Sequence, residues 1–184
     1  MATKIGTISN ALLLIGDKTI NSLDEGSFRA TVASNLYDNI YESELMSHPW
    51  GFCRKMQTLA LTTQTPVTSE WRNIYQIPTD LISIFRVHPR SDYEIYGDKI
   101  YSNQPSLVLD YHSKIPESQW PNYFAKLMEY ALAKEFAIPI REDTGMAQLM
   151  NQLYIGQGQK SRAVESKQRI QRPIQSQPFI QARY

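Results

Sequence analysis

The residues able to do chemistry are few, and their spacing is uninviting. Cys53 lies five residues after His48 in His-Pro-Trp-Gly-Phe-Cys. A nucleophilic thiol needs a base and a third group to orient that base, and no such set is visible here. Cys53 therefore reads as a packed side chain between Phe52 and Met56. Asp110 and His112 alternate onto one face of a predicted strand. One carboxylate and one imidazole, with no second His or Cys, make a poor metal site and read as a hydrogen-bonded surface pair. Glu42 and Glu44, two apart on a predicted helix, point to different faces, whereas acid-base carboxylates must converge; they read as solvated or interfacial. The eight glycines form neither GxxxxGK[ST] nor GxGxxG, and Gly156-Gln-Gly158 follows a helix rather than a strand. Eleven tyrosines and three tryptophans could stack bases. In the strand-rich part, however, acids and bases are interleaved with them equally, which favours cross-strand packing. The expectation is a chain that is no enzyme and holds neither cofactor nor metal.

The elements that would position these groups follow from periodicity. Ile5, Ile8, Leu12 and Ile15 form a helical stripe closed by Gly16. Ser27 is a plausible N-cap for a longer helix with Phe28, Val32, Leu36 and Ile40 every four residues, ended by Pro49. Tyr37, Tyr41, Glu42 and Glu44 occupy its other faces. Between Met56 and His112 the pattern becomes β-branched and aromatic: 59–63, 71–77, 81–87, 93–96, 99–102 and 107–111 read as strands, with a Gly97-Asp98 hairpin turn. Pro121 opens a helix whose apolar face is Phe124, Leu127, Met128, Ala131, Leu132 and Phe136, with Pro139 as its stop. A last helix opens near Arg141, carries Met146, Leu149, Met150, Leu153 and Tyr154, and runs on past Gly156 and Gly158. The expected fold class is α+β: a bundle of about four helices, an inserted small antiparallel β-sheet and an extended C-terminal tail. A single domain spans 1–168 (helical 1–50 and 117–168, β insertion 56–115), followed by a tail over 169–184.

At 184 residues the chain is the size of one domain, and its formal charge is only +1. That total hides an uneven distribution. From Asn151 onward Lys160, Arg162, Lys167, Arg169, Arg172 and Arg183 face Glu165 alone, giving +5 and leaving −4 for residues 1–150. Nine of fourteen glutamines fall between Gln148 and Gln181, so the basic end is also Gln-rich. The tail holds Pro173 and Pro178 and cannot be helical to its end, yet it spaces apolar anchors along itself: Ile170, Ile174, Phe179, Ile180 and Tyr184. With Arg169, Arg172 and Arg183 these residues read as a docking arm rather than a frayed end. The longest apolar run, Ala11 to Ile15, is far below the roughly 20 residues of a membrane span. There is neither a secretory signal pattern nor a second cysteine, which favours synthesis and retention in the cytosol.

A resemblance adds what periodicity does not. The segments Ala11-Leu-Leu-Leu-Ile-Gly-Asp-Lys-Thr-Ile-Asn-Ser-Leu-Asp-Glu-Gly-Ser, Tyr37 to His48-Pro-Trp-Gly-Phe-Cys-Arg, Trp71-Arg-Asn-Ile-Tyr-Gln-Ile-Pro-Thr-Asp-Leu and Tyr130-Ala-Leu-Ala-Lys-Glu-Phe-Ala together resemble the tail tubular protein A family, in order and over nearly the whole chain. That family forms the head-to-tail adaptor of short-tailed phages. The resemblance implies a virion protein of the tail, made in the host cytoplasm, that forms a ring of twelve copies beneath the portal protein. The nozzle (tail tubular protein B) docks below the ring, tail fibres attach near the junction, and double-stranded DNA is ejected through the channel. It also implies that the C-terminal segment grips the portal, placing Arg169, Ile170, Arg172, Ile174, Phe179, Ile180, Arg183 and Tyr184 in that arm. A ring interface joins two different faces of the subunit. The helices 28–48 and 121–137 are expected to supply them, with Tyr37, Tyr41, Trp50 and Tyr130 as interface residues. The alternative reading of the charge asymmetry is a small DNA-binding regulator that uses the basic C-terminal helix and tail.

Overall fold

The computed structural model describes residues 2–168, and the arm expected over 169–184 lies outside them. Helix α1 (Lys4–Leu14) is capped by Thr3, whose hydroxyl accepts from the Gly6 amide at 3.1 Å. It ends at Gly16, whose φ of 74° suits a residue without Cβ. Helix α2 (Phe28–Met46) starts at Ser27, as its cap chemistry predicts: the hydroxyl accepts from the Ala30 amide at 3.3 Å. Six strands follow: β1 (Arg54–Thr58), β2 (Asn73–Gln76), β3 (Leu81–His88), β4 (Tyr93–Tyr96), β5 (Lys99–Ser102) and β6 (Val108–Ser113). Helices α3 (Asn122–Arg141) and α4 (Thr144–Gln168) complete the described chain. The fold is α+β, with four helices and a β insertion between α2 and α3.

The insertion is two small antiparallel sheets rather than one, ordered β1-β6-β3 and β2-β5-β4. They share a core: Tyr75 and Ile100 of one sheet cluster with Val87, Leu109 and Tyr111 of the other, joined by Leu59 and Leu107. The Gly97-Asp98 turn forms as expected, with Gly97 at φ 61° joining β4 to β5. The first strand is displaced. It occupies 54–58, whereas 59–63 contributes only an isolated bridge, Leu61 to Tyr75. Pairing with β6 decides this, since Arg54 to Thr58 lie opposite His112 to Val108; of the next residues Leu59 goes to the shared core, while Leu61 stays 57% exposed.

The bundle core differs from the expected stripe in an informative way. Along α2 the buried residues are Ala30, Ala33, Tyr37, Tyr41, Glu44 and Leu45, while Phe28 is 65% exposed and Val32, Leu36 and Ile40 are only partly covered. Small and aromatic residues alternate inward here. The alanines let α2 approach its neighbours, and the tyrosines reach polar partners that an aliphatic chain could not use. Tyr41 donates to the Ile115 carbonyl at 2.5 Å and accepts from the Ile115 amide at 3.2 Å and from Trp120 Nε1 at 3.4 Å. Tyr37 donates to Glu117 at 2.9 Å. These bonds tie α2 to the segment leading out of β6, and so tie the bundle to the sandwich.

Helix α3 is the central element, burying Phe124, Leu127, Met128, Ala131, Leu132, Ala133, Phe136 and Ala137 against the other helices. It runs through Pro139 to Arg141, beyond the expected stop, and ends at Glu142 with a left-handed φ of 52°. Pro139 sits on the exposed side beside an exposed Glu135, so water is at hand for the carbonyl that loses its helical donor. Among the described residues no helix is long and apolar enough to cross a membrane.

Candidate functional site: the anchored end of α4

Helix α4 has only Met150, Gly158, Ser161 and Glu165 fully buried along its 25 residues. Its grip on the bundle is correspondingly polar. At Gly158 an added Cβ would meet the guanidinium of Arg162, on α4 itself, at 2.9 Å and would lie at an ordinary contact distance of 3.8 Å from Leu127 of α3. One turn on, Ser161 donates to the Tyr123 carbonyl at 2.9 Å, and Gln157 Nε2 donates to the same oxygen at 3.2 Å. Glu165 lies one further turn along, 2% exposed. Its Oε1 accepts from the Gly51 amide at 2.6 Å and its Oε2 from the Tyr123 hydroxyl at 2.5 Å. A second carboxylate works in the opposite direction: Glu44 of α2 accepts from the Tyr154 hydroxyl of α4 at 2.7 Å. Burial raises the Glu44 carboxyl above its usual range, against the lowering effect of the Tyr154 hydrogen bond and of the Lys134 and Arg162 charges. Burial also raises the Tyr123 and Tyr154 hydroxyls, helped by the same carboxylate bonds, so both remain donors.

The receiving side of the latch is the turn between α2 and β1. Trp50, 1% exposed, donates from Nε1 to the Glu44 carbonyl at 2.9 Å and packs edge-on against Phe124 at 5.4 Å between ring centres. Phe52 stacks near Phe124 at 4.8 Å. The His48-Pro49-Trp50-Gly51 sequence is thus a joint. Its indole is sunk in the bundle, which leaves the Gly51 amide facing Glu165, and at Gly51 a Cβ would lie 2.6 Å from Glu165 Oε1.

The other singled-out residues fall as follows. Cys53 is buried, its thiol pushed up to about 11 by burial and its Sγ 3.3 Å from the Trp50 carbonyl, as a packed cysteine should be. Asp110 and His112 are not a surface pair, since both are buried on β6. Asp110 accepts from Arg54 Nε at 2.6 Å and from its terminal nitrogen, and this ion-paired bond lowers its carboxyl despite burial. His112 Nδ1 is 2.9 Å from Ser83 Oγ. The cause is the central place of β6: Arg54 of β1 lies over the Phe85 ring of β3 at 4.0 Å, and that ring meets His112 at 5.9 Å, so side chains from both neighbours close around the pair. Glu42 pairs with Lys114 at 2.8 Å in the open, whereas Glu44 is buried rather than solvated. Among the described residues no cluster of His, Cys, Asp or Glu is arranged to hold a metal.

Three of the expected ring-interface residues are used inside the fold. Tyr37, Tyr41 and Trp50 are 0–2% exposed, and their polar atoms are bonded within the chain. They cannot also face a neighbouring subunit. Tyr130 is partly exposed, with Lys126 Nζ 4.9 Å from its ring centre. The expected face on 121–137 is occupied too, because α3 is covered by α1, α2 and α4. The arm residues Arg169, Ile170, Arg172, Ile174, Phe179, Ile180, Arg183 and Tyr184 lie outside the described residues. The latch itself was missed in the sequence, although one signal was present: Glu165 is the lone acid in a segment with six cations, and it is the residue buried.

No protein-family model matches the chain, and no curated protein matches it.

Proposed function

We propose that the chain is the subunit of a head-to-tail adaptor ring that joins a portal to a tail nozzle and forms part of the channel through which double-stranded DNA leaves the capsid. The ordered resemblance to the tail tubular protein A family motivates the reading. The observation that carries it is the latch on α4: the helix is fastened to the bundle as far as Glu165, so the basic arm begins four residues after a fixed point. An arm that must find a partner surface loses less entropy on docking when its root is held. Function here is mechanical, and its energy comes from binding rather than reaction.

With Tyr37, Tyr41 and Trp50 committed to the core, the ring contact falls on what the bundle leaves outside. Leu149, Leu153 and Val164 follow one side of α4, each 39–48% exposed, and Phe28 and Met46 stand out from α2 at 65% and 59%. A closed heterologous ring requires two different faces, and we place one on this side of α4 and the other at an end of α2, where Phe28 and Met46 stand at opposite ends.

Light scattering or native mass spectrometry on the purified protein, alone and with portal, tests the reading. A ring of about twelve copies, free or on portal, supports it. A single copy that ignores portal and instead shifts on DNA, weakening steeply with salt, overturns it in favour of a DNA-binding regulator. A chain truncated after Lys167 is expected to stay folded and to lose portal in a pull-down; retained binding removes the arm from the proposal.

A further inference from the structure

Along the chain the acids and bases of the β insertion alternate, but the fold sorts them by face. In the β1-β6-β3 sheet Leu109 and Tyr111 of β6 and Val87 of β3 point into the shared core. The opposite face therefore carries Asp110 and His112, with Arg86 set across from Asp110 and Arg54 of β1 across from His112. At the end of β3 this face opens into a cleft of about 520 Å³ walled by Phe85, Arg86, His88, Arg90 and Tyr93, and no carboxylate lines it. Asp110 is the acid of the face itself, and it is taken up by Arg54, two of whose nitrogens it holds. Seven ion pairs form among the described residues, and neither Arg86 nor Arg90 belongs to any of them. Asp92 and Glu94 follow Arg90 in the chain, but neither lines the cleft, and Glu94 accepts from the Tyr96 hydroxyl.

Two unpaired cations in one cleft repel each other, so stability alone does not account for them. Both are exposed, which leaves their guanidinium forks open to a ligand. Phe85, itself 38% exposed, steadies one of them: the Arg86 guanidinium lies 5.7 Å from its ring centre, beside that of Arg54 at 4.0 Å. A guanidinium resting on an aromatic face loses less freedom when it takes a ligand. Guanidinium forks free of carboxylates match the oxygens of a phosphate. The adaptor reading, on which the choice of occupant rests, brings one phosphate polymer past the subunit, duplex DNA. We propose that the cleft of Arg86 and Arg90, on the outer face of the β1-β6-β3 sheet, is a contact for the phosphate backbone of duplex DNA. Such a contact is blind to base sequence and weak in each copy, so it holds the duplex without stopping it from sliding.

The test uses the full chain without portal, with Arg169→Gln, Arg172→Gln and Arg183→Gln so that the tail adds no charge of its own. A short duplex carrying a photoreactive group on one backbone phosphate is crosslinked and the peptides are mapped by mass spectrometry; binding of the plain duplex is followed against salt. Crosslinks are expected on 85–93. Arg86→Gln and Arg90→Gln are each expected to weaken binding about threefold, as for an exposed ion pair, and to lower the slope of log affinity against log salt by about one. Arg86→Lys keeps the charge and should keep the slope. Both positions are exposed, so the circular dichroism of the variants should match that of the parent. Crosslinks confined to 144–184, a slope unchanged in the double variant, or inorganic phosphate displacing the duplex at an equal concentration of phosphate groups would overturn the proposal. A ring on portal without crosslinks on 85–93 removes this contact alone, whereas a single copy that ignores portal yet crosslinks there supports the contact and removes the adaptor.

Discussion

Tyr41 shows how much a single hydroxyl can hold. It donates once and accepts twice where the bundle meets the exit from β6, and Tyr41→Phe would leave the Ile115 amide and the Trp120 indole without that acceptor. Urea unfolding should show a loss of about 1–3 kcal/mol with the fold retained. Two buried carboxyls give pH signatures of opposite sign. Glu44 has a raised pKa, so the folded chain holds a proton that the unfolded chain has released, and stability falls as pH rises from the ordinary carboxyl range through the raised value. Glu44→Gln removes that term, so the stability difference between variant and parent should move in the variant's favour across that window. Asp110 is lowered by Arg54; its contribution is present at neutral pH and is lost as pH falls through the lowered value, a loss that Asp110→Asn should abolish in an acid titration. Neither behaviour was legible in the sequence, because Asp110 is lowered by Arg54, 56 residues away, and Glu44 is raised by a burial that exists only once the helices pack.

At the scale of elements, α4 is held less by apolar area than by bonds that can be removed singly. Glu165→Ala should cost about 1–3 kcal/mol and raise amide exchange in the last turns of α4 without opening α3. Gly51→Ala should resemble it, since the new Cβ would displace the same carboxylate. The existence and order of the helices were readable, as Ser27 and Gly16 act through local chemistry. The inward face of α2 was not, since a four-residue apolar repeat at Phe28, Val32, Leu36 and Ile40 was outweighed by tyrosines whose hydroxyls had distant partners. Nor was the position of β1, which belongs to whichever residues β6 pairs. The latch needed Gly51 and Glu165, 114 residues apart, to be seen together.

For the whole molecule, the proposed ring places its subunit contact on α4. Leu153→Asp, at a site 40% exposed, should leave circular dichroism and melting essentially unchanged while collapsing the assembled mass to a single copy. An unchanged ring mass would move the contact elsewhere. The way α4 is fastened has a further consequence under load. Apolar contacts let a helix creep past its neighbour by small steps, whereas the Glu165 carboxylate bonds act only at short range and in fixed directions. A pull on Gln168 would therefore load the bonds to the Gly51 amide and the Tyr123 hydroxyl first, since Glu165 is the fastened residue nearest that end. A joint held in this way is expected to behave as a clamp with a threshold rather than as a spring.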